Sequence, residues 1–302
     1  MPGSPLLTRV RNRVERARLH RWRVKPYRSP EPHIVMGGAP RSGTTVLRRL
    51  FDRHPGIVAG AETKLFVPAA FNLEFLASAY AIALSQMGTM RRAAPSPGAF
   101  IDAFAERVRT DAGKQRWAEK TPQNIRHLAW IAERFPSASI VHIIRDGRDV
   151  VCSMRQHPDW RWIDGAWQKV LVKRPLAWYA QRWLDDTAAG MAWRDDPRYV
   201  ELRYEDLAAD PSTVLRAVCD GIGVEPEPRW LATATSTPEV AGVADGEPAP
   251  DTNPGGQTKR PDYEGAVSGA SVGRWREDLG ADERQEVERL CGPRLRELGY
   301  DV

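Results

Sequence analysis

Apolar positions in this chain gather into short continuous runs, and between them the apolar residues take helical spacing. "HIVMGG" at 33–38 predicts a buried strand ending on glycine, with a helix after it from about Thr44 to Arg53. "GIVAG" at 56–60 predicts a second strand, and "KLFVPAAFNLEFLASAYAIALSQM" reads as mostly helical apart from Pro68. The cluster "AAPSPG" at 93–98 marks a loop before an amphipathic helix running through Arg109. In "TPQNIRHLAWIAERF" a helix is expected to start with Thr121 as N-cap and Pro122 at its first position. "ASIVHIIR" at 138–145 is the strongest strand signal, and "RYVELRY" at 198–204 is another. Helices are expected over about 175–193, after the cap Asp210 and Pro211, and over roughly 281–298. From about Leu231 to Gly273 periodicity fades, which suits a long ordered loop or lid.

Helices alternating with short apolar strands imply an α/β fold, a central parallel sheet flanked by helices on both faces. At 302 residues and 42% hydrophobic the chain has ample core, and we expect one domain over 29–302 preceded by an extension over 1–28. Charge sharpens that division: residues 9–28 hold eight arginines and Lys25 against Glu15 alone, a net +8 in a chain of total +5. Such a segment suits peripheral contact with an anionic membrane surface, although a solvated helix at the domain's edge is the commoner meaning of a charge run. No nucleic-acid partner is expected. Cys152, Cys219 and Cys291, widely spaced and odd in number, form neither a disulfide framework nor a zinc pattern. With no apolar signal core and no run near the roughly 20 residues of a spanning helix, a soluble, cytoplasmic protein is expected.

Gly38 and Gly43 have the spacing of a Walker loop, but Thr44 takes the place of the lysine that would reach nucleotide β- and γ-phosphates. Arg41 is the cation inside the loop. The backbone N–H groups of residues 41–45, at a helix N-terminus, suit an anion. A kinase would end a strand on aspartate to hold magnesium, whereas the strongest strand here ends on Arg145, which suits an anion. "RDGRDVVCSM" at 145–154 is expected to place Arg145 and Ser153 about two turns apart on one helix, as a second phosphate site. Plain ion pairs of Arg145 with Asp146 or Asp149 are the alternative. Two metal-free anion sites suit a ligand with phosphates at both ends of a nucleoside.

Together "PRSGTT" at 40–45 and "RDGRDVVCSM" resemble the motifs of sulfotransferases that use 3′-phosphoadenosine 5′-phosphosulfate (PAPS). The likeness extends furthest toward protein-tyrosine sulfotransferases and their bacterial relatives, through "RSGTTVLRRLFDRHPGIVAGAET" at 41–63 and the terminal "LGYDV". It implies a P-loop-like sulfotransferase fold, PAPS as donor, PAP as product and no metal. By the same resemblance Arg41, Ser42, Gly43, Thr44 and Thr45 hold the 5′-phosphosulfate, Arg145 and Ser153 the 3′-phosphate, and Tyr204 lies near the nucleotide. Glu62 becomes the general base, Lys120 the cation at the bridging oxygen of the leaving group, and Lys64 a weaker helper where the tyrosine enzymes carry arginine. The "RKG" segment of cytosolic relatives is absent, so Lys259, Arg260 or Arg274 is expected to stand in, with Arg274 favoured. Taken singly, Glu62 also reads as a helix-start carboxylate, Lys120 as the partner of Glu119, Lys64 as a solvent-exposed lysine and Tyr204 as core. The tryptophans of 157–183 read mostly as core, with an acceptor pocket as the other reading. The expected reaction moves a sulfuryl group to a hydroxyl or amine of a small-molecule, carbohydrate or lipid acceptor. A P-loop kinase is the runner-up.

Overall fold

The structure, a computed structural model, describes residues 25–67, 72–163, 166–235, 252–253, 257–258 and 269–302. Lys259, Arg260 and most of both the basic extension and the expected lid lie outside the described residues, as do the side chains of Trp160, Trp162 and Trp167. Five parallel strands form the sheet: β1 (Ile34–Gly37), β2 (Ile57–Val58), β3 (Arg116–Lys120), β4 (Ser139–Ile144) and β7 (Tyr199–Arg203), in the order β2-β3-β1-β4-β7. An antiparallel hairpin, β5 (Asp159–Ile163) and β6 (Ala166–Val170), stands apart from it, as does the small pair β8 (Thr252–Asn253) and β9 (Gln257–Thr258).

Around the sheet run α1 (Thr44–Asp52), α2 (Leu73–Ala79), α3 (Leu84–Ala93), α4 (Pro97–Ala112), α5 (Leu128–Arg134) and α6 (Gly147–Gln156). They are followed by α7 (Leu176–Met191), α8 (Tyr204–Ala209), α9 (Pro211–Ile222), α10 (Pro228–Thr235), α11 (Trp275–Asp278) and α12 (Ala281–Glu297). Strand alternation sorts the core. Ile34, Met36, Val141 and Ile143 cluster with Leu47, Phe51, Leu215 and Val218 of α1 and α9. Val35 and Ile140 cluster on the other face with Phe100, Phe104 and Ile131 of α4 and α5. A third cluster joins Val150 and Val151 of α6 to Trp183 of α7 and Val287 and Leu295 of α12.

Two local expectations change, and one strand was not expected. "RWAEK" is a strand, β3, although its charged residues give no apolar signal. Thr121 stands at an N-cap with Pro122 first after it, but of a 3₁₀ helix, Pro122–Arg126, that precedes α5, and its hydroxyl donates to Glu119 rather than capping. The long segment read as mostly helical breaks between α2 and α3, where Ala81 takes a left-handed φ of 51°. At the amino end Tyr27, inside the expected extension, packs on Gly98, and its hydroxyl donates to Asp102 of α4. Ser29 Oγ and His33 Nε2 lie 2.8 and 2.7 Å from the other oxygen of that carboxylate.

Candidate active site

Parallel strands deliver their carboxyl ends to one edge of the sheet, where α/β proteins place their sites. There β1 opens into the 38–43 turn, β3 ends on Lys120, β4 leads to Arg145, β7 leads to Tyr204, and the segment after β2 carries Glu62. Gly43, at φ 94°, starts α1 against the Tyr204 ring, which lies 2.4 Å from where a Cβ would stand. Arg41 is held in the left-handed region at φ 75°. Conformations of that kind cost a non-glycine residue roughly 1 to 2 kcal/mol and are retained where surrounding contacts fix them.

Arg41, Arg145 and Ser153 come together. Arg41 Nε donates to Ser153 Oγ at 3.0 Å, and Arg145 Nη1 to the Arg41 carbonyl at 3.2 Å. Arg145 is not on the helix with Ser153, because Asp146 caps α6 and leaves Arg145 at the strand end. Its buried guanidinium lies over the Tyr204 ring at 4.8 Å, faces Asp149 Oδ2 at 3.5 Å and donates to the Ser271 carbonyl. Burial pushes the Asp149 carboxyl up, while Arg145 and the backbone N–H groups of Gly273 and Trp275 oppose that. Residues 271–275 are thereby pinned beside Arg145, a connection the sequence reading missed. Arg274, just before α11, reaches the carboxyl end of α6, donating to Gln156 Oε1 at 2.7 Å and to Asp278 Oδ2 at 2.7 Å, and does not join the Arg41–Arg145–Ser153 group.

Lys120 turns away from Glu119. Its Nζ lies 3.1 Å from Glu62 Oε2 and 3.4 Å from Thr45 Oγ1, so one buried ammonium bridges the Glu62 loop and the start of α1. The Lys64 side chain is exposed; its backbone, at φ 57°, donates to Thr121 Oγ1 at 3.1 Å. Lys64 is therefore joined to the site through its main chain.

Do these residues fit a nucleotide with anionic groups at both ends? Among the described residues, the buried Ser42 Oγ and Arg145 Nε have no hydrogen-bond partner, and α1 begins with no acidic residue in its first turn and no side-chain cap. Donors of that kind, with guanidinium groups beside them, match anionic oxygens and fit the group.

A parallel sheet whose central strand opens through a glycine turn into such a helix start, ringed by cations, defines an α/β phosphate-loop protein. Residues 32–228 match the model of the sulfotransferase family, and the chain belongs to that family. It is 33% identical to mouse protein-tyrosine sulfotransferase 1 over 133 residues, covering 42% of this chain and 35% of that protein. The chain thus spans about a third of the length of that relative. Nodulation protein NoeE of Sinorhizobium fredii is 26% identical over 305 residues, covering 90% of this chain and 67% of NoeE. Among solved structures, the sulfotransferase domain of the Synechococcus olefin synthase superposes with a TM-score of 0.58 at 20% identity, covering 93% of this chain and 99% of the domain. Mouse sulfotransferase SULT7A1, solved with PAP, superposes at 0.54 and 15% identity, covering 92% and 88%. These two likenesses are of fold.

Proposed function

We propose that the chain moves the sulfuryl group of PAPS to a hydroxyl or amine of a small-molecule, carbohydrate or lipid acceptor. The observation that carries this reading is the Lys120 ammonium between Glu62 and Thr45. Arg41, Ser42, Gly43, Thr44 and Thr45 would hold the 5′ end of the donor, and Arg145 with Ser153 the 3′ end, beside Tyr204. When bound, the donor supplies the sulfuryl group. Glu62 takes the acceptor proton from an acceptor oriented at the carboxyl edge of the sheet. Of the three N–H donors of Lys120, one reaches Glu62 and one Thr45, which leaves one for negative charge developing on the departing phosphate. Membership of the family and the PAP-bound mouse structure of the same fold support this donor.

A screen of acceptors with labelled PAPS, read by mass for the added sulfuryl group, tests the reading. Glu62→Gln is expected to lower kcat by about 10² to 10⁴ while PAP still binds by calorimetry. Full turnover in Glu62→Gln removes the base assignment. Absence of PAP affinity in the unaltered chain removes the donor, and phosphoryl transfer from a nucleoside triphosphate would identify a kinase instead.

A further inference from the structure

Glu119 is an acidic residue buried in the core, 1% exposed, and none of the chemistry above uses it. Its Oε1 accepts from the Thr63 backbone N–H at 3.0 Å, the Thr63 hydroxyl at 2.8 Å and the Thr121 hydroxyl at 2.6 Å. Asn124 Nδ2 donates to its Oε2 and also to the Met36 carbonyl, at 3.1 Å, just before the phosphate loop. Thr121 Oγ1 in turn accepts from the Lys64 N–H. Thr63 directly follows Glu62, and Lys120 directly follows Glu119, so the carboxylate ties together the backbone on either side of the Lys120–Glu62 pair. The other flank of the Glu62 loop is tied as well: Tyr80 donates to the Ala61 carbonyl at 2.6 Å, and its ring fills the space beside Gly60.

We infer that Glu119, acting through the hydroxyls of Thr63 and Thr121, is a positioning residue that fixes Glu62 and Lys120 relative to each other and to the phosphate loop. The inference rests on the proposed roles of Glu62 and Lys120. Burial raises the Glu119 pKa while its Asn124 and threonine donors oppose the shift, and those donors satisfy the oxygens that water would otherwise serve. Donor binding depends on the turn after β1, and β1 is held by backbone pairing with β3 and β4, which loss of the Glu119 side-chain bonds leaves in place. Misplacement of the Glu62 loop therefore reaches the reaction step without reaching donor affinity.

The test uses the full chain with PAPS and an acceptor taken from the screen. Thr121→Val removes the hydroxyl that donates to Glu119 and accepts from Lys64, and Thr121→Ser keeps it. Thr121→Val is expected to lower kcat by about 10- to 100-fold, the range that small misplacements of reacting groups produce, while the Kd for PAP stays within about threefold. Thr121→Ser is expected to restore most of the lost kcat. Glu119→Gln, which puts an amide N–H₂ among four donors, is expected to show the same split. The inference is overturned if both Thr121→Val and Glu119→Gln turn over like the unaltered chain. It is equally overturned if PAP affinity and melting temperature fall in step with kcat and serine rescues nothing, since that is the mark of a structural role alone. An unaltered chain that binds PAP but transfers no sulfuryl group would remove the functional reading first, and this inference with it.

Discussion

At the scale of single residues, chemistry at this site depends on charges that are buried and aimed. Arg145 carries its guanidinium against Asp149, the Arg41 carbonyl and the Tyr204 ring, and its Nε remains to be satisfied among the described residues. Replacing the planar fork by a point charge keeps Asp149 compensated yet loses bidentate geometry. Arg145→Lys is accordingly expected to raise the Kd for PAP by about 10- to 150-fold, the equivalent of one charge-assisted hydrogen bond of roughly 1.5 to 3 kcal/mol, as read by calorimetry. Gly43→Ala meets a different obstacle, because a Cβ at φ 94° would stand 2.4 Å from the Tyr204 ring. Chemical denaturation is expected to show a loss of about 1 to 3 kcal/mol, with weaker PAP binding as the ring or the loop shifts. Loop spacing, a local property, singled out Arg41 and Thr45, and the family resemblance singled out Glu62 and Lys120; the structure brings Thr45, Glu62 and Lys120 together. Neither singled out Glu119, since an acidic residue beside a lysine reads as an ion pair. Lys120 instead reaches Glu62, 58 positions away.

Among elements, the strands with apolar runs or apolar–polar alternation, β1, β2, β4 and β7, announced themselves, and β3 did not. Glu119 and Lys120 make β3 look polar, yet both are buried because hydrogen bonds and an ion pair compensate them inside the sheet. The same logic applies at β4, where His142 is enclosed by Tyr199 of β7 and by Gly190 of α7, whose Cβ, if added, would stand 2.3 Å from the ring. Tyr199 donates to Glu201, so His142 Nδ1–H donates to the Tyr199 oxygen, with Nδ1 2.5 Å from it. Burial lowers the His142 pKa from 6.5 to about 4, with Glu201 opposing and Arg194 assisting. In that window the unfolded chain binds the proton that the folded chain refuses, so stability is complete above the unfolded value and is lost as pH falls. Urea denaturation is expected to show a slope of up to about 1.4 kcal/mol per pH unit between neutral pH and about pH 5 from this group. His142→Asn is expected to flatten that part of the profile, leaving the carboxylate contribution at lower pH.

Across the whole molecule, the division between domain and extension depends on three-dimensional contact rather than on charge. Tyr27 falls within the basic run by sequence but is bonded to Asp102 and packed on Gly98. Removing residues 1–28 is therefore expected to cost about 1 to 2 kcal/mol more than removing residues 1–24, measured by denaturation of the two truncated chains. The parallel α/β architecture and the glycine turn into α1 were determined by the sequence alone, because strand runs, helical spacing and turn residues act over a few neighbouring positions. Only the tertiary structure decided that Lys120 faces Glu62, that Glu119 ties Thr63 to Thr121, and that residues 271–275 close on Asp149 and Arg145. Those contacts join segments brought together by the strand order β2-β3-β1-β4-β7 and by the return of the chain after α10, and no local periodicity encodes either.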